Sequence, residues 1–285
     1  MKEQKTSIKK TFLKRIFIKI CRIFGYEIID QGNFYIPTQE KYLNENLNIQ
    51  GKKSITLPLG EIKISRKINA LTVIFRSCTS VNMLTQHKRR LFEKNKSEYT
   101  FRSLNSIITS LNIASKAFPK VKFDIVIIDH NSANEDLEQM KKILKKSNFH
   151  NSIISLEINE FLDGIKKINS KNEKVTENQI SNMCNIHKSL LVAKNQCNDL
   201  IYFVEDDYIH KSEAINEMIF SYERISSQLN KELIICPTDY PYLYTKVDST
   251  NIFLGSNNHW RKVEETLCTF LTSKILLEKY WNKFV

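Results

Sequence analysis

Glu205, Asp206 and Asp207 stand in a row in the segment LIYFVEDDYIH, directly after five apolar residues, Leu200 to Val204. A short apolar run of this kind reads as a buried strand, which puts the three acids at its carboxyl end. Like charges crowded together are costly unless a cation or strong hydrogen-bond donors offset them. Hard oxygen ligands favour Mg²⁺ or Mn²⁺, which takes one or two carboxylates and completes its shell with phosphate oxygens and water. The competing structural reading is that the acids open the next helix, with Asp207 or Ser212 as its cap.

A second polar strand end follows in FDIVIIDHNSANEDL, which supplies Asp129, His130, Asn131 and Ser132, and a third in VIFRSCTS, which supplies Arg76 and Ser77. Further along, CPTDYPYLYT joins Asp239 to three tyrosines, a combination that suits sugar recognition because rings stack on sugar faces and carboxylates bind hydroxyls. A tyrosine-rich packed loop reads equally well. Glu264 and Glu265 lie in NNHWRKVEETL. Asn182, Asn185, His187 and Lys188 precede the acidic strand at helical spacing, where His187 reads more simply as a structural residue.

These residues need a scaffold that gathers strand ends, and the chain from Asn69 onward supplies the pattern for one. Short apolar runs over 70–75, 123–128, 152–157, 200–204 and 233–236 alternate with amphipathic stretches over 99–116, 134–145, 178–196 and 212–227. That alternation predicts βαβ units around a mostly parallel sheet flanked by helices. Ligands in such sheets collect at the carboxyl ends of the strands, where the strand order reverses. Neither GxGxxG nor GxxxxGK[ST] occurs, and the 6 glycines are few for phosphate-cradling loops. A carboxylate-bound metal is then the expected counter-charge for phosphates.

In order and spacing, VIFRSCTS, FDIVIIDHNSANEDL and SNMCNIHKSLLVAKNQCNDLIYFVEDDYIH resemble the nucleotide-binding half of GT-A-fold glycosyltransferases. VEDD is similar to the Asp-x-Asp metal motif of that family. The resemblance spans about 69–280 and implies a Rossmann-like GT-A domain that uses a nucleoside-diphosphate sugar, a UDP-sugar first among them, with Mn²⁺ or Mg²⁺. It implies that Asp129 binds the base, Arg76 and Ser77 line the base and ribose pocket with Asn131 beside them, and Asp206 faces ribose and donor sugar. Asp207 would bind the metal with Glu205 assisting. The general base is left open. Asp239, Glu264 and Glu265 are the candidates, with Asp239 and Glu265 preferred; a retaining reaction needs no such base, and a chain that is a fragment would not hold it. The acceptor would be a hydroxyl of a glycan or lipid-linked precursor. The rivals are nucleotidyl transfer, for which FRSCTSVNM is a poor loop, and a sugar-nucleotide-binding scaffold without turnover.

The chain's length of 285 residues suits one catalytic domain, expected over 66–285 after a basic helix over 1–30 and a connector over 31–65. Residues 1–24 hold eight basic side chains and one acid, a net of +7 of the chain's +12. Within KKTFLKRIFIKICRIF, Leu13, Ile16, Phe17, Ile20 and Phe24 share one helical face and Arg15, Lys19 and Arg22 lie opposite. Basic residues recur too often for a membrane span, so the helix is expected either on an anionic membrane surface or packed on the protein's own body. No basic stripe interleaved with aromatics follows, which argues against nucleic acid. Six scattered cysteines without a CxxC pair suit reduced thiols. A cytoplasmic protein, peripheral on the inner face of the membrane, is the expectation.

Overall fold

The computed structural model describes residues 12–26, 63–80, 94–165, 167–168, 172–244 and 250–285. Residues 1–37 and 38–285 form two separate compact units. In the first, α1 (Phe12–Ile23) is a three-turn helix. Gly25, at φ 80°, ends it, and Tyr26 N donates to Cys21 O at 2.9 Å, the six-to-one bond of a Schellman turn. Of the expected connector, all but 63–65 lies outside the described residues.

The second unit is α/β. Its strands are β1 (Ala70–Ser77), β2 (Lys122–Asp129), β3 (His150–Ser155), β4 (Leu200–Glu205), β5 (Ile234–Ile235) and, later in the chain, β8 (Phe270–Ser273). They form a six-stranded sheet in the order β3-β2-β1-β4-β8-β5. β1 to β4 are parallel, while β8 runs antiparallel to both β4 and β5. β6 (Ile252–Leu254) and β7 (His259–Arg261) make a separate hairpin.

The helices are α2 (Lys96–Ala117), α3 (Asn134–Leu144), α4 (Glu177–Gln196), α5 (Ala214–Leu229), α6 (Lys274–Lys279) and α7 (Trp281–Phe284). All eight residues of β1 are buried because helices cover both faces of the sheet. Leu71, Val73 and Phe75 point into a core shared with Leu104, Ile107 and Leu111 of α2, Met140 of α3 and Met218 of α5. Ile74, Val126, Ile201 and Phe203 face Cys184, Leu190 and Ala193 of α4 and Leu277 of α6.

Local signals set the element ends. Thr176 and Gln179 form a reciprocal capping box at the start of α4, and Asn230, left-handed at φ 52°, closes α5. The antiparallel insertion of β8 between β4 and β5 is what the alternating pattern did not contain. Among the described residues, no helix is long and apolar enough to cross a membrane.

Candidate functional site

The strand order reverses between β1 and β4: from β1 the chain steps outward to β2 and β3, then returns to β4 on the other side. The carboxyl ends beside that switch point carry the residues singled out above. Strand register pairs them directly, with Arg76 opposite Glu205 and Ser77 opposite Asp129. Because side chains alternate along a strand, the first pair lies on the α4 face and the second on the α2 face. The cluster therefore straddles the edge of the sheet.

On the α4 face Arg76, only 5% exposed, places Nη2 3.0 Å from Glu205 Oε1 and donates from Nη1 to Asn182 Oδ1 at 3.1 Å. Nη2 is buried, yet among the described residues it makes no aligned hydrogen bond. Burial raises the Glu205 pKa, Arg76 opposes that rise, and Asp207 and Asp206 add to it. Thr269, fully buried ahead of β8, accepts from Glu205 N at 3.2 Å.

On the α2 face Asp129 is buried and accepts from Ser77 Oγ and Ser132 Oγ, each at 2.6 Å, and from Ser132 N at 3.1 Å. Asn131, between them in the chain, takes φ 56° and is exposed; Asn tolerates this left-handed conformation, and the tight turn needs it. His130 Nδ1 lies 2.7 Å from Ser181 Oγ, and burial lowers its pKa.

The three acids separate into three environments. Glu205 is half-buried against Arg76. Asp206, expected to face a sugar, is buried; its oxygens already take donors from Lys96 Nζ, from Thr100 Oγ1 at 2.9 Å and from Cys78 N at 3.4 Å. Asp207 is exposed and has no hydrogen bond or ion pair to any described residue. α5 begins only at Ala214, and its N-cap is Glu213, so neither Asp207 nor Ser212 caps a helix. The acids end a strand. Protein cations supply part of the offsetting charge that the like-charge argument required.

The fit to a metal is limited but real in its chemistry. Among the described residues no group of three or more His, Cys, Asp or Glu side chains is arranged around a common point. The second oxygen of Glu205 and both of Asp207 are hard ligands at an open edge, enough for a Mg²⁺ or Mn²⁺ that draws its other ligands from phosphates and water.

A tyrosine layer adjoins this edge. Tyr208, next to Asp207, bonds through its hydroxyl to the Tyr240 hydroxyl at 2.8 Å, and Tyr240 stacks on Tyr242. Asp239 is exposed, accepts from Tyr244 Oη, and lies 3.6 Å from Arg261 Nη2, whose guanidinium covers the Tyr244 ring at 4.1 Å. Glu264 and Glu265 are exposed on the segment between β7 and β8. His187 packs against Phe161, and Lys188 lies 3.4 Å from Glu160, so both serve the outer side of α4. A cavity of about 390 Å³ on that side, lined by Ile154, Glu160, Phe161, Lys188 and Leu191 among others, is not lined by Glu205, Asp206 or Asp207.

Lys96, Thr100 and Thr269 escaped the sequence reading. Lys96 and Thr100 have the i, i+4 spacing of one helical face, but α2 starts three residues earlier than its apolar pattern does. His210 also went unnoticed. Its ring lies 2.7 Å from Tyr202 Oη, and burial pushes its pKa down to about 4. No protein-family model matches the chain, and no curated protein matches it.

Proposed function

We propose that the chain is a metal-dependent glycosyltransferase of the GT-A-fold kind, moving a sugar from a nucleoside-diphosphate donor to a hydroxyl of a glycan or glycolipid precursor. The observation that carries this reading is Asp207, an exposed carboxylate without a partner among the described residues, two positions past half-buried Glu205 at the switch point of the sheet, where Ser77 ends the adjacent strand β1 and bonds to Asp129 at the end of β2. A ligand bridging these groups needs hydrogen-bonding edges at one end and negative charge at the other. A sugar nucleotide has both.

In this reading Glu205 and Asp207 would hold Mn²⁺ or Mg²⁺, which when bound would supply Lewis-acid stabilisation of a leaving diphosphate. Arg76 holds Glu205 in place and adds positive charge near the phosphates. Asp206, fastened by Lys96 and Thr100, fixes the turn that presents Asp207. Asp129 and Ser77 offer acceptors and a hydroxyl to base and ribose, with Asn131 at the rim. The acceptor hydroxyl attacks the anomeric carbon as the bond to the diphosphate breaks, and its proton goes to a base for which Asp239 and Glu265 are the candidates.

A second reading, sugar-nucleotide binding without turnover, draws support from the neutralisation of Glu205 and Asp206 by Arg76 and Lys96, which lets the acids persist without a metal. One experiment separates the two. A panel of nucleotide sugars is screened by thermal shift with and without Mn²⁺, and the ligand that stabilises the protein is then tested for release of nucleoside diphosphate. Asp207→Asn is expected to abolish the Mn²⁺-dependent shift and the release together. A variant with full Mn²⁺-dependent activity sinks the assignment, and a metal-dependent shift without release favours the binding domain.

A further inference from the structure

We infer that α1 is a docking element for an anionic lipid surface, lying in the headgroup layer with its apolar face inward. Ile16, Phe17, Ile20 and Ile23 on a helix of only 12 residues, and Phe24 just past its end, are 40–76% exposed. At 3.6 residues per turn these five fall on one continuous face. An apolar face of this kind in water is a liability unless another phase or molecule covers it.

Charge identifies the occupant. The first turn of α1 has no acid, Lys19 is exposed, and residues 1–24 carry eight basic side chains against Glu3 alone. A second copy of this chain would bring the same +7 against itself, and a neutral apolar partner would leave that charge unused. A surface of anionic headgroups over hydrocarbon complements both faces at once. The Schellman turn at Gly25 adds to the fit: it stops the helix and leaves Phe24 and Tyr26, 73% and 71% exposed, at its end. The Tyr26 ring, apolar with a hydroxyl at its tip, favours the boundary between headgroups and acyl chains, while Phe24 continues the apolar face.

The face is too short to span a bilayer, so the geometry is that of a helix parallel to the surface. This inference is independent of the donor site, because no residue of α1 belongs to that site.

The test is sedimentation of the full chain with two sets of vesicles, one of phosphatidylcholine alone and one containing phosphatidylglycerol. Binding is expected to the anionic vesicles only, and to weaken at least roughly tenfold when salt rises from about 0.05 M to about 0.5 M. The double variant Phe17→Glu with Ile20→Glu removes the apolar anchor and should lose binding while its thermal unfolding stays unchanged. A second variant, Lys14→Glu with Lys19→Glu, keeps that anchor and should lose the preference for anionic lipid. Equal binding to neutral vesicles overturns the inference, and so does undiminished binding by the glutamate double variant. So does a dimer, seen by light scattering, that dissociates in that variant while no form of the chain binds vesicles.

Discussion

The two ends of the central sheet use the same chemistry to opposite effect. At the amino end Arg66 donates from Nε to Glu232 at 2.7 Å and from Nη2 to Asp199 at 2.5 Å. Asn69 N takes the other Asp199 oxygen at 2.8 Å, and Tyr222 Oη takes the other Glu232 oxygen at 2.7 Å. Every carboxylate oxygen has a donor. At the carboxyl end, among the described residues, Arg76 Nη2 is buried without an aligned bond, Glu205 uses one oxygen in a side-chain contact, and Asp207 uses none. A closed network holds a structure together, whereas an open one keeps binding capacity for something else. The contrast teaches that charge clustering alone does not mark a site; unfilled valence at an edge does.

Breaking the closed end should therefore cost stability and spare binding. Arg66→Ala leaves Asp199 and Glu232, 11% and 17% exposed, without their shared cation. The expected loss is about 2 to 3 kcal/mol, between the small value of exposed pairs and the larger one of buried pairs, read from urea unfolding. Binding of the stabilising nucleotide sugar, measured where the variant is still folded, should stay within about twofold of wild type. A comparable loss of binding would erase the distinction between the two ends.

A closed carboxylate also exists near the open end, which sharpens the comparison. Glu217 of α5 is buried and accepts from Ser256 N, Asn257 N, Trp260 Nε1 and Ser221 Oγ at 2.8–3.1 Å, latching the β6–β7 hairpin to the domain. The backbone of Gly255 passes so close that a Cβ there would lie 2.0 Å from Glu217 Oε1 and 2.6 Å from Trp260 Nε1. Gly255→Ala should displace the latch and cost about 1 to 3 kcal/mol, seen as a lower unfolding midpoint and a shift in tryptophan fluorescence. An unchanged fluorescence spectrum would show that the hairpin is not held this way.

Much of this architecture was legible because it rests on periodicity. The apolar runs over 70–75, 123–128 and 200–204 are β1, β2 and β4 with one or two residues added, and of these Arg76, Ser77, Asp129 and Glu205, at the carboxyl ends, are the candidate site residues. Polar residues that end a buried run are visible as a change in pattern. The cross-sheet partners were not visible, because Lys96 lies 110 residues from Asp206, and Thr269 lies 64 from Glu205. No local pattern encodes such a pairing. The sense of β8 was hidden for a related reason: FLTS reads as a strand in either direction, and only its place between β4 and β5 makes it antiparallel. The acids' separation into buried, half-buried and exposed followed from the fold, since neighbours in sequence at a strand end turn toward different faces.

Asp207→Asn is the smallest perturbation to the fold and completes the comparison. An exposed side chain with no partner among the described residues contributes little, so the change in unfolding free energy should stay within about 0.5 kcal/mol. The pH dependence carries more information than the magnitude. The Glu205 pKa is raised from its ordinary 4.5 by burial first, with Asp207 and Asp206 adding to the rise. A carboxylate whose folded pKa exceeds its unfolded one favours the folded state when protonated, so its contribution is lost as pH rises from about the ordinary value through the raised one. Removing the Asp207 charge takes away one cause of the rise, and that loss should shrink. Urea unfolding across this window should then show a flatter profile for the variant than for wild type. Identical profiles would mean that Asp207 lies too far from Glu205 to share a cation with it.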